Sequence, residues 1–185
     1  MIKITNLEQI KEIRLKENSV FYIYGKIGSG KSYFSKKLMQ QNNKKAYYTT
    51  FDEIISNISN DLYIEDFLGK DFIVIDDGIK NIVNKELTCM IVERRLKEIQ
   101  DRGIRIIVLS SVLPEEIKQE NKKLIEFVLS GEKIEVCYDI ENRIKIAKEY
   151  CEECKATIND NTLRAIAKEE NLGKIRGEIN QISII

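Results

Sequence analysis

The sequence predicts an α/β protein built on a five-stranded parallel sheet, and three observations carry that prediction. Short apolar runs alternate along the chain with stretches of helical periodicity. A single proline, Pro114, interrupts the 185 residues, so few elements are broken. A glycine-rich turn, Gly25 to Ser32, joins an apolar run directly to an amphipathic one.

The elements follow in order. The opening "MIKITNLEQIKEIRLKEN" reads as one helix, with Ile4, Leu7, Ile10 and Ile13 at helical spacing on a face that packs on the core. "SVFYIYG", 19–25, is a buried strand, and "KSYFSKKLMQQ", 31–41, the helix after the turn. "KAYYTT", 45–50, and "DFIVIDD", 71–77, are the second and third strands, the latter apolar until its acidic end. The stretch 84–103 is a long helix whose apolar positions are Leu87, Met90, Ile91, Leu96 and Ile99, stopped by Gly103. "IRIIVLSS", 104–111, is a fourth strand, and Pro114 suits the first turn of a following helix. "KIEVCYDI", 133–140, is the fifth. Beyond it only helical periodicity remains, with helices expected near 140–154, 161–170 and 173–183. The change of periodicity divides the chain into an α/β domain, 1–139, and a small helical domain, 140–185.

Composition excludes several function classes. Thirty basic and thirty acidic residues leave no net charge, so there is no bulk electrostatic drive toward nucleic acid. Histidine is absent, which removes His-based triads, general bases and zinc ligands. No apolar run approaches the roughly 20 residues of a membrane span, and the charged N-terminus is unlike a signal peptide; the expected location is the cytoplasm. The four cysteines are then expected to be reduced. Cys89 and Cys137 read as core residues, and Cys151 and Cys154 as an incidental pair late in a helix, without the second pair a zinc ribbon needs.

Two motifs carry chemistry. Gly25-Lys26-Ile27-Gly28-Ser29-Gly30-Lys31-Ser32 fits G-x-x-x-x-G-K-[ST], with an apolar strand before it and the helix 31–41 running on from it; Tyr33, next along, is also expected to contact the nucleotide. Glycines let the backbone curl so that its N–H groups face phosphate oxygens; Lys31 adds a charge for the β- and γ-phosphates, and Ser32 a hydroxyl for Mg²⁺. The second motif is the acidic strand end, Asp76-Asp77. Asp76 is the expected Mg²⁺ residue and Asp77 the residue expected to orient an attacking water. The expected ligands are ATP or ADP with Mg²⁺.

The order of phosphate loop, "AYYTT", "FDEIISNI", "IVIDD", long helix and "RIIVLSSVLPEEI" resembles the AAA+ group of DnaA-type initiators, Hda-type regulators and DnaC/DnaI-type helicase loaders. The resemblance continues through "DIENRIKIAKEYCEECKATINDNTLRAIAKEE", which is similar to the group's helical lid: Glu141, Asn142 and Arg143 match one helix opening, Leu163 to Ala167 another, and "GKIRGEINQI" the last lid helix. It implies a three-layer αβα sheet domain followed by a lid. It also implies that Arg176 reaches back to the nucleotide, that Ser111 (with Ser110 before it) takes the polar sensor position near the γ-phosphate, and that slow ATP hydrolysis acts as a switch. The partners implied are the replicative helicase or a replication initiator protein, a weak contact with single-stranded DNA, and an ATP-dependent oligomer.

The sequence departs from that pattern in three places. Val112 stands where initiators carry an acid. No arginine lies between Arg105 and Arg143, where the group's arginine finger is expected; Lys122, Lys123 and Lys133 are the cations nearby, and lysine is a poorer fork for a phosphate. Too few residues follow the lid match for a helix-turn-helix, so these 185 residues are not expected to act alone as a sequence-specific initiator. Two rival readings stay open: a small-molecule P-loop kinase, and an adaptor that binds ATP without hydrolysing it.

Overall fold

The computed structural model describes residues 1–15, 19–57, 66–67, 69–76, 79, 86–117 and 122–183. Its strands are β1 (Ile2–Ile4), β2 (Val20–Tyr24), β3 (Ala46–Thr49), β4 (Phe72–Asp76), β5 (Arg105–Ser110) and β6 (Glu132–Val136). They form one sheet in the order β1-β6-β2-β5-β4-β3, and every neighbouring pair is parallel. Among the described residues the α-helices are α1 (Lys31–Gln41), α2 (Phe51–Ser56), α3 (Glu86–Asp101), α4 (Lys122–Leu129), α5 (Ile140–Cys154), α6 (Asp160–Ile166) and α7 (Leu172–Ser183).

Parallel strands covered on both faces must be apolar on both. All five residues of β2 are buried, as are Phe72 to Ile75 of β4. Alternate side chains feed two cores. One joins Phe21, Ile23, Val74 and Leu109 to α1 and to the tail helices, through Ile146, Leu163, Leu172 and Ile175. The other joins Tyr22, Ile73, Ile75 and Val108 to α2, α3 and α4. The result is three layers, with helices above and below a twisted sheet.

Among the described residues the sheet has six strands, one more than the sequence predicts. The extra strand is β1, which pairs with β6 through Ile2–Ile134, Lys3–Glu135 and Ile4–Val136. The expected N-terminal helix shrinks to a 3₁₀ turn, Glu8–Glu12. Ile4, Ile10 and Ile13 are nonetheless buried, so the apolar residues do pack on the core. Two other expectations on burial need correction. In α3, Leu87 and Met90 are exposed, and the inward stripe is Cys89, Val92, Leu96 and Ile99. Cys137 is exposed, because the chain leaves the sheet after Val136 and turns into the tail.

That turn is pinned by hydrogen bonds. Asp139 N–H donates to Thr5 O at 3.0 Å, while the Asp139 carboxylate caps α5 by accepting from Asn142 N at 2.8 Å. The buried Asn142 side chain accepts from Leu7 N at 3.0 Å, tying the N-terminal segment to the first turn of α5. Asn159 caps α6 in the same way, accepting from Thr162 N. Among the described residues no helix is long and apolar enough to cross a membrane.

Candidate functional site

The loop between β2 and α1 turns back on itself at two glycines. Gly28 and Gly30 have φ of 79° and 97°, in the left-handed region that a Cβ disfavours. Neither has room for a side chain. A Cβ on Gly28 would lie 2.1 Å from the Asn171 side chain, and one on Gly30 would lie 2.6 Å from Leu172. The glycines therefore permit the turn and let the tail lie against it. Leu172 N–H, at the start of α7, donates to Gly28 O at 2.8 Å.

Within the loop, the Lys31 ammonium donates to the carbonyls of Gly25 and Lys26, both at 3.0 Å. The Ser32 hydroxyl donates to the Asp76 carboxylate at 2.9 Å. These residues end β2's loop and β4, which flank β5, so the contact is made by the topology across an intervening strand. A hydroxyl and a carboxylate side by side are oxygen donors of the kind Mg²⁺ takes, so Ser32 and Asp76 are the residues that could hold that ion. Asp77 lies outside the described residues.

Loop, strand end and tail enclose a cleft of about 460 Å³. It is lined by Ile27, Gly28, Gly30, Lys31, Ser32 and Tyr33, by Asp76 and Ser111, and by Arg176. Of the two serines ending β5, Ser110 is buried and caps the following turn, its Oγ accepting from Val112 N at 3.1 Å; Ser111 lines the cleft. Gly25, Lys26 and Ser29 line a second cleft on the other flank of the loop, together with Tyr138, Arg143 and Asn171. Ser29 Oγ is buried there and makes no hydrogen bond among the described residues.

Tyr33 joins the sheet to the tail. Its hydroxyl donates to Glu149 at 2.9 Å, and its ring meets Tyr138 and Tyr150 edge-on, with centroids 6.1 Å apart in each pair. Burial, and then the Glu149 carboxylate, push the Tyr33 phenol far above its ordinary range, so it remains a donor. Lys37 completes the cluster with an ion pair to Glu149 at 2.7 Å.

The three arginines of the tail have separate fates. Arg143 donates to Tyr138 O at 2.7 Å and to Ala167 O at 2.9 Å, and Arg164 pairs with Glu141 at 3.5 Å. Arg176 alone of the three lines the main cleft; its guanidinium lies 5.2 Å from the Tyr150 ring centroid and 3.3 Å from the Glu153 carboxylate. The sequence reading missed Asn171, Leu172, Tyr138, Tyr150 and Lys36, all of which border the loop or its clefts. Only Asn171 carried a local signal, as a capping residue; its Oδ1 accepts from Gly173 N and Lys174 N.

Comparison with known proteins gives one family model and a consistent set of relatives. The model described as RNA helicase matches residues 21–127. The chromosomal replication initiator protein DnaA of Limosilactobacillus reuteri (strain DSM 20016) is 27% identical over 176 residues, covering 87% of this chain and 40% of the relative. DnaA of Francisella tularensis subsp. novicida (strain U112) is 24% identical over 182 residues, with 90% and 37% covered. The chain thus spans about 40% of the length of the curated relatives it matches. Among solved structures, domain III of the Thermotoga maritima replication initiation protein DnaA superposes with a TM-score of 0.73 at 21% identity, over 96% of this chain and 80% of that one. AMPPCP-bound DnaA from Aquifex aeolicus gives 0.71 at 19%, over 96% and 59%. A DnaA bound to AMPPCP and single-stranded DNA gives 0.70 at 19%, over 96% and 60%.

Proposed function

The chain belongs to the P-loop family described by the RNA helicase model, as an AAA+ protein of the DnaA/Hda/DnaC group, and from that premise we propose that it binds ATP or ADP with Mg²⁺ and acts in DNA replication as a helicase loader, an initiator regulator or a minimal initiator-like ATPase. One observation carries the reading: the Ser32 hydroxyl and the Asp76 carboxylate meet at 2.9 Å beside the glycine-rich loop. In this reading Lys31 leaves the loop carbonyls for the β- and γ-phosphates, while loop N–H groups cradle them. Ser32 and Asp76 hold Mg²⁺, which when bound neutralises charge on the phosphate oxygens. Asp77 orients water, and Ser111 faces the terminal phosphate.

Residues 140–185 act as a lid over the sheet domain 1–139. Leu172 N–H on Gly28 O, and Arg176 on the rim of the cleft, favour that role. ATP and ADP differ at the end of the phosphate chain, so they favour different lid positions, and hydrolysis becomes a switch. The partners are then the replicative helicase or an initiator, with a weak single-stranded DNA contact and an ATP-dependent oligomer.

The non-hydrolysing adaptor is retained as a second reading on a specific ground. No arginine lies between Arg105 and Arg143 to complete a neighbour's site. The kinase reading loses support, since Arg143 and Arg164 are committed to carbonyls and to Glu141.

Isothermal titration with ATP and ADP in Mg²⁺ tests nucleotide binding. Lys31→Ala is expected to lose ATP affinity while keeping its far-UV spectrum, and unchanged affinity would sink the phosphate-loop assignment. A pull-down from host extract with protein loaded with ATP or ADP tests the role. Retention of the helicase or initiator in one nucleotide state supports the switch; retention of neither in both states rejects it. Turnover equal to that of Asp77→Asn supports the adaptor.

A further inference from the structure

We propose that Lys36 is a phosphate-reading residue: a cation supplied by the chain's own α1 that contacts the terminal phosphate of bound ATP. The inference rests on the nucleotide reading above. Lys36 stands four residues after Ser32 on α1, so the two share a helix face. Long side chains on a helix lean toward its N-terminus, which carries the Lys36 ammonium back toward Ser32 and Asp76. It lines the same cleft as those two residues, Ser111 and Arg176.

The other cations at the cleft are engaged. Lys31 holds the carbonyls of Gly25 and Lys26, Arg176 lies on Tyr150 and Glu153, and neighbouring Lys37 is paired with Glu149. Lys36 is exposed and forms no ion pair or hydrogen bond with a described residue. It also borders an adjoining groove with Met39, Gln40 and Tyr48, so its stem has open space on two sides and swings at little cost. An unengaged ammonium at the open side of a phosphate loop has one strong partner to gain. ATP carries one more phosphoryl group and more negative charge than ADP, so a cation at the end of the chain separates the two nucleotides. Lys31, placed at the loop, holds both.

Affinities for fluorescent ATP and ADP analogues in Mg²⁺ test this in wild type, Lys36→Ala, Lys36→Gln and Lys36→Arg. Lys36→Ala and Lys36→Gln are expected to weaken ATP roughly fivefold, the scale of one screened charge contact, and ADP less than about twofold. Lys36→Arg restores the ATP preference. Thermal melting without nucleotide stays unchanged, because Lys36 holds nothing in the fold. Equal weakening of ATP and ADP, or no weakening of either, overturns the proposal. Failure of the underlying reading looks different: wild type then binds neither nucleotide, and Lys31→Ala changes nothing.

Discussion

At the scale of single residues, the chain spends its charged side chains on two distinct jobs. Arg143 fastens main chain: it joins Tyr138 O before α5 to Ala167 O after α6, at 2.7 and 2.9 Å. Hydrogen bonds from a charged donor to buried acceptors are worth about 1.5–3 kcal/mol. Arg143→Ala is expected to cost about 2–3 kcal/mol, read as a shift in urea midpoint at constant m-value. Arg143→Lys recovers only part of that, because one ammonium does not span two carbonyls as a fork does. Lys31 and Asp76 instead line the main cleft, together with Ser32; that grouping was legible from the sequence, since the G-x-x-x-x-G-K-S spacing and the acid at a strand end are local patterns. Tyr33 was placed by its position after the motif, but its partners Tyr138, Glu149 and Tyr150 come from distant segments that no local pattern connects.

At the scale of elements, packing space decides what each tolerates. A Cβ on Gly131, just before β6, would lie 1.8 Å from Val20 O in the backbone of β2. Gly131→Ala must separate the two strands, at an expected cost of about 3 kcal/mol. Gly177 in α7 has nothing within 4 Å of the same position, and Gly177→Ala is expected to stabilise by roughly 0.5–1 kcal/mol. Differential scanning calorimetry reads both, with opposite signs.

The start of β3 and β4 carries a pH-sensitive tie. Asp71 accepts from Lys45 N and from the Lys44 ammonium, both at 2.9 Å, and those bonds hold its carboxyl below the usual range. A depressed carboxylate contributes stability that is complete above its unfolded pKa, about 3.9, and lost as pH falls through the folded value. Asp71→Asn is therefore expected to lower the urea midpoint at pH 7 and to match wild type more closely near pH 3. The same scale shows where periodicity misled. Leu96 and Ile99 fit either of two stripes along α3, and Leu87 and Met90 point to one that faces water, while Cys89 and Val92 mark the buried one. Three residues, "IKI", are too short to signal a strand; β1 exists because β6 offers it an edge.

At the scale of the whole molecule, the boundary at 139/140 divides periodicities but not the core. Ile146, Ala147, Leu163, Ile166, Leu172, Ile175 and Ile179 of the tail share one apolar cluster with Phe21 and Leu109 of the sheet and Phe34 and Leu38 of α1. A lid built this way cannot swing free without exposing that cluster to water at about 25 cal/mol per Å². If residues 140–185 act as the proposed lid, the expected motion is a small rotation about the shared core, with the Leu172–Gly28 hydrogen bond and the Tyr33–Glu149 contact as the links it would strain first. Two consequences follow for equilibrium unfolding. The full chain is expected to lose far-UV ellipticity and tyrosine fluorescence in one coincident urea transition, and saturating Mg·ATP should raise its midpoint by mass action. A fragment ending at residue 139 would lack the tail's share of that apolar cluster, so it is expected to bind a hydrophobic dye and aggregate. A soluble fragment with the full chain's midpoint would instead make the tail an independent lid, free to open widely, and the small-rotation account would fall.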